Sequence, residues 1–131
     1  MKVAIIGGGA AGFFSALSVK EHHPEAEVIL FEKSQELLSK VRISGGGRCN
    51  VTNALSSISA FSKSYPRGAK FLKKAFQIFN NQDSIQWFES RGVPLKVEPD
   101  GRMFPISNKS ESIVECLVNE AKKLGVQIEM G

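Results

Sequence analysis

Ile5 to Gly12 reads IIGGGAAG and stands four residues into the chain. Lys2 to Ile6 forms a short apolar run around its start, and Phe13 to Lys20 continues at helical spacing, so the stretch reads as a strand, a Gly-x-Gly-x-x-Gly turn and a helix. Each glycine has a job in such a turn. Gly7 allows the tight bend after the strand, Gly9 leaves room for a pyrophosphate against the main chain, and Gly12 lets the helix pack close to the sheet. Ala10 and Ala11 fill the positions between with small side chains, where the helix offers free N–H groups and its positive dipole end to phosphate. Glu32 lies twenty residues past Gly12, at the end of a second apolar run, Val28 to Phe31. A carboxylate there accepts both ribose hydroxyls of an adenosine and repels a 2'-phosphate. The expected site is therefore a dinucleotide site.

The composition narrows the class. With 131 residues the chain has enough length for one domain with a core and too little for a cofactor domain plus a substrate domain. The net charge of +4 and pI near 9.2 are mild. Lys and Arg read as dispersed among acids, so the expectation is a small-molecule substrate and no nucleic acid. Cys49 and Cys116 lack CxxC spacing and suggest reduced thiols in a cytoplasmic protein. His22 and His23 are adjacent and cannot share a helix face, so no metal site is expected. No run approaches the roughly 18 apolar residues of a membrane span, and the amino-terminal run is too short for a signal peptide.

Periodicity and punctuation lay out the elements. The first strand is expected over Lys2 to Ile6, a helix over Ala10 to Lys20 with Phe13, Ala16 and Leu17 inward, and a parallel second strand over Glu27 to Glu32. A polar tract from Asn50 to Gly68 reads as a long loop, functional or ordered by a ligand. Ala69 to Phe79 places Phe71, Leu72, Ala75, Phe76 and Phe79 at helical spacing, a stripe expected in the core. Asp83 with Gln86 reads as the cap of a helix ending at Gly92. Pro99-Asp100-Gly101 reads as the turn of a hairpin within Val93 to Pro105. Asn108 with Glu111 is expected to cap a last helix ending at Gly125, and Val126 to Met130 reads as a third parallel strand. The resulting fold class is α/β, a Rossmann-like parallel sheet in the order 3-2-1 with a small β-hairpin and a helical excursion. A doubly wound sheet adds further strands beside the first. Residues 1–131 are therefore expected to be the amino-terminal part of a longer dinucleotide-binding domain, incomplete alone and prone to self-association through its open first strand.

The most selective segment is Ser44 to Asn53, SGGGRCNVTN. Gly45, Gly46 and Gly47 let a backbone approach a flat or phosphorylated ligand, Arg48 offers charge and donors, and Asn50 both donates and accepts. Taken with GGGAAG, FEK at Phe31 to Lys33, YPRG at Tyr65 to Gly68 and GRMFP at Gly101 to Pro105, the chain resembles the HI0933-like (BaiN-like) family of FAD-dependent oxidoreductases over nearly its whole length.

That resemblance implies FAD as cofactor and NAD(P)H as a candidate electron donor. It implies that Gly7, Gly9 and Gly12 hold the pyrophosphate, with Ala10 and Ala11 between them in the cofactor-binding turn, that Glu32 binds the adenosine ribose with Lys33 the next cofactor-binding residue of that motif, and that Ser44, Gly45, Gly46, Gly47, Arg48, Cys49 and Asn50 lie along the flavin. It also implies a parent roughly three times this length, with an inserted second domain. Cys49 reads as a packing residue before a redox one, because no partner cysteine is near in sequence. No residue stands out as a catalytic acid or base. The expected function is FAD-mediated hydride transfer on a small molecule; the alternatives are an NAD-dependent dehydrogenase, which the first motif alone equally permits, and a non-catalytic dinucleotide-binding module.

Overall fold

The computed structural model describes all 131 residues. β1 (Lys2–Ile6) leads into α1 (Ala10–His22), and β2 (Glu27–Glu32) returns parallel to β1 with Ile5 beside Leu30. α2 (Ser39–Gly47), β3 (Thr52–Asn53), α3 (Ile58–Lys63), α4 (Ala69–Ala75) and α5 (Asn81–Glu89) follow. β4 (Leu95–Val97), β5 (Arg102–Pro105), α6 (Glu111–Lys123) and β6 (Gln127–Met130) complete the chain. β6 pairs parallel with the far side of β2, so the main sheet runs β1-β2-β6 with the first strand at its edge. That is the 3-2-1 order expected.

Alternation along β2 decides which face is covered. Val28 and Leu30 point inward at 1% and 0% exposure, against Phe13, Ala16 and Leu17 of α1 and Ile113, Val114 and Leu117 of α6. Both helices carry their apolar residues at three- and four-residue intervals, which gives each a continuous buried stripe. On the opposite face of the sheet Ile6 and Phe31, neighbours in register, are exposed. Arg91 ties the helices together: its guanidinium bonds Glu21 of α1 at 2.6 Å and Glu120 of α6 at 3.2 Å, and lies 3.9 Å over the Trp87 ring.

Several local expectations give way. The tract from Asn50 to Gly68 is not one loop: Thr52 and Asn53 pair antiparallel with Met103 and Arg102, making the hairpin a three-stranded sheet in the order β3-β5-β4, and α3 follows. The region before it contains α2, whose short helical part lacks an apolar period. The aromatic stripe after Gly68 is not core. α4 ends at Ala75, Phe71 is 78% exposed, and Phe76 is only partly covered, packed on Phe61 and Tyr65. Asn80, not Asp83, caps α5; its Oδ1 accepts from Gln82 N at 2.8 Å, while Asp83 Oδ2 accepts from Asn80 N at 2.8 Å. Asp83 is thus the far half of a capping box. Asn108 does not cap α6. It takes a left-handed turn at φ 56°, and Ser110 precedes the helix with its hydroxyl donating to the Arg42 carbonyl at 2.8 Å.

Candidate functional site

The turn after β1 is built by packing as much as by conformation. A Cβ on Gly12 would stand 1.9 Å from the Gly7 carbonyl oxygen, so only glycine lets α1 sit this close to the strand end. A Cβ on Gly9 would meet nothing within 4 Å. Gly9 precedes α1 in extended conformation, no side chain caps the helix, and its first turn has no acidic residue. The Ala10 and Ala11 N–H groups are thus left to an anion at the positive end of the helix dipole.

Glu32 braces this turn. Gly8 N–H donates to its Oε2 at 2.7 Å and Ser34 N–H donates to its Oε1 at 2.8 Å. Those bonds, the Ser34 amide first, hold the Glu32 carboxyl below its usual range. The carboxylate stays ionised and keeps further lone pairs for other donors. The segment after β2 closes the same side, with Leu38 buried in left-handed backbone and its N–H donating to the Gly8 carbonyl at 2.9 Å.

α2 is helical only through Ile43. At Ser44 the chain extends, and Gly45, Gly46 and Gly47 follow in left-handed conformation at φ 56°, 68° and 83°. Gly45 is wedged: a Cβ there would lie 2.8 Å from both Asn50 N and the Phe104 ring. Gly46 and Gly47 face open space. The loop is anchored by Cys49 N–H donating to the Ser44 carbonyl at 3.0 Å and Ser110 N–H donating to the Gly47 carbonyl at 2.8 Å.

Between the two glycine segments lies a cavity of about 610 Å³. Gly8, Gly9, Ala10 and Glu32 line it from one side, and Ser44, Cys49 and Asn50 from the other. The expected residues do not all meet there. Gly12 supports the turn from within, and Gly7 and Lys33 line a smaller cleft at the strand ends with Phe31 and Met130. Arg48 turns away from the cavity: its Nη1 bonds Glu98 Oε1 at 3.1 Å and its guanidinium stacks 4.0 Å over Phe104. It fastens the glycine loop to the three-stranded sheet. Cys49 is buried, and that burial pushes its thiol above the usual range; Ser44 offsets this only in part.

Sequence reasoning missed Phe14, Leu38, Ser39, Lys40, Val41 and Phe88 in the cavity wall. Leu37-Leu38, an apolar pair amid polar residues, was the available signal for one of them. No group of His, Cys, Asp and Glu is arranged to hold a metal ion, and no helix is long and apolar enough to cross a membrane.

Comparison with known proteins follows the same lines. The chain is 28% identical over 130 residues to a 3-dehydro-bile acid delta(4,6)-reductase of Clostridium scindens, covering 99% of this chain and 31% of that protein. It is 32% identical over 124 residues to a ribosomal RNA dihydrouridine synthase of Haemophilus influenzae, covering 95% of this chain and 29% of that one. The chain thus spans less than a third of the length of these relatives. Thermovibrio ammonificans THI4 has a similar fold, with a TM-score of 0.63 at 14% identity over 99% of this chain and 37% of that one. The family model described as the HI0933-like protein Rossmann domain matches residues 1–131, and the chain belongs to that family.

Proposed function

We propose that the protein is an FAD-dependent oxidoreductase that adds a hydride to a carbon–carbon double bond activated by a neighbouring carbonyl, the resulting enolate taking its proton from solvent. The observation that carries the flavin reading is the cavity shared by the Gly8–Ala10 turn and the Ser44–Asn50 loop. The residues fit the cofactor. Gly9 leaves the main chain bare for a pyrophosphate, the first-turn amides of α1 receive its charge, and Glu32 stands ready for the ribose. Ser44 and Asn50 offer donors and acceptors at the other end of the cavity, with Cys49 as a neutral wall. An NAD-dependent dehydrogenase would leave the second glycine segment without a role.

FAD, when bound, supplies a two-electron hydride donor after reduction by an external donor, for which NAD(P)H is the candidate. The reaction class comes from two relatives whose names, a delta(4,6)-reductase and a dihydrouridine synthase, describe hydrogen added across a double bond. The test is anaerobic. Protein reduced with dithionite and mixed with an α,β-unsaturated ketone should regain its oxidised flavin spectrum with saturated ketone as product. Reduced flavin that ignores every activated alkene, yet is reoxidised by other acceptors, would overturn the reaction class.

A second reading places the double bond in a uracil of RNA. The relative from Haemophilus influenzae favours it, and so does charge: no Asp or Glu stands between Glu36 and Asp83, a stretch holding eight Lys and Arg. The even dispersal of charge expected from the sequence does not extend to this segment. Formation of dihydrouridine in RNA, read by mass, tests it.

A further inference from the structure

We infer that α4 and the turn before it form a docking surface for single-stranded RNA, flanking the cofactor cavity. The observation is a set of cations that the fold leaves uncompensated. Lys63, Arg67, Lys70, Lys73 and Lys74 are all exposed. None makes an ion pair, whereas Arg42, Arg48, Arg91 and Arg102 all do. Lys70, Lys73 and Lys74 fall at i, i+3 and i+4, on one face of the helix, where like charges repel unless an anion joins them.

Aromatic side chains stand among these charges. Phe61, Tyr65 and Phe76 pack on one another with ring centroids 4.8 to 5.7 Å apart and fasten α3 to α4. Phe71 is left 78% exposed beside the lysines. Cations alternating with an exposed ring suit a strand whose phosphates meet the lysines and whose unpaired bases stack. The surface is also well placed. Phe79, just past α4, meets Phe14 edge-on at 5.8 Å, and Phe14 lines the cofactor cavity. The segment leaving α4 is thus joined to the cavity wall through Phe14. The choice of RNA over other polyanions rests on the second reading above, while the surface itself rests on the charges.

The test is fluorescence anisotropy with a labelled oligouridine of about 12 nucleotides, titrated at several salt concentrations between about 50 and 200 mM. Five phosphate contacts predict a log–log salt slope of about −3.5. Replacing Lys70, Lys73 and Lys74 together by Gln should reduce the slope to about −1.4 and weaken binding about a hundredfold at about 0.1 M salt. Phe71→Ala should cost about tenfold without changing the slope. Neither variant lines the cavity, so flavin content and the circular dichroism spectrum should match the parent. Absence of binding at low salt, or a triple variant that binds as the parent does, overturns the surface. So does a parent that ignores oligouridine and binds phosphatidylserine vesicles through the same lysines. Loss of flavin in the parent is a separate outcome, read from its spectrum, and bound RNA that yields no dihydrouridine removes the uracil reading while the surface stands.

Discussion

Gly12 and Gly9 sit three residues apart in the same turn and answer to different forces. At Gly12 the constraint is internal: a methyl group would overlap the Gly7 carbonyl oxygen at 1.9 Å. Gly12→Ala should therefore destabilise the protein by about 3 kcal/mol, read as a lowered thermal midpoint, and an unchanged midpoint would show that α1 shifts freely. Cys49 is also set by its surroundings. Burial raises its thiol pKa, so the neutral form persists through neutral pH and its stabilisation holds below the unfolded thiol's value, then falls as pH rises through the raised one. Cys49 should react with iodoacetamide at neutral pH at least about tenfold more slowly in folded than in unfolded protein. Fast labelling of the folded protein would restore a redox role. Glu32 has the opposite sign: its carboxylate bonds are present above the ordinary Glu range and are lost as pH falls through the lowered value. The glycine signatures and Glu32 were legible in the sequence because their spacing encodes local backbone geometry. The departure of Arg48 was not, since Glu98 and Phe104 lie about fifty residues away in the chain and only the fold brings them close.

Among the elements, those with a strong period were readable. α1, α6 and the three parallel strands fall close to their expected bounds because one stripe or face of each is buried. The segments between them resisted for a physical reason: they are held by side-chain bonds across long sequence distances rather than by their own periodicity. β3 is the clearest case. Asn81, buried at the start of α5, donates through Nδ2 to the Asn53 and Leu55 carbonyls at 2.6 and 2.7 Å and so holds β3 against the helix. Asn81→Ala would leave two carbonyls without these donors and should cost about 2 kcal/mol. Urea unfolding checks this, and a loss below about 0.5 kcal/mol would mean that water replaces the amide. The aromatic run of α4 misled in the other direction, because helical spacing of Phe residues reads as core whether or not another element covers it.

For the molecule as a whole, the turn after β1 and the loop after α2 come from segments more than thirty residues apart and meet across one cavity. The proposed function requires that the two glycine segments form one FAD site. Gly9→Val tests it most directly, because a side chain at Gly9 meets nothing within 4 Å and its extended backbone accepts valine, so the fold is spared while the pyrophosphate path is filled. The measurement is the flavin-to-protein ratio of purified protein, from the visible spectrum and the mass of the released cofactor, with thermal midpoints compared in parallel. The account predicts FAD in the parent and its loss from Gly9→Val at an unchanged thermal midpoint of the flavin-free proteins. Equal FAD content in the two proteins would contradict it.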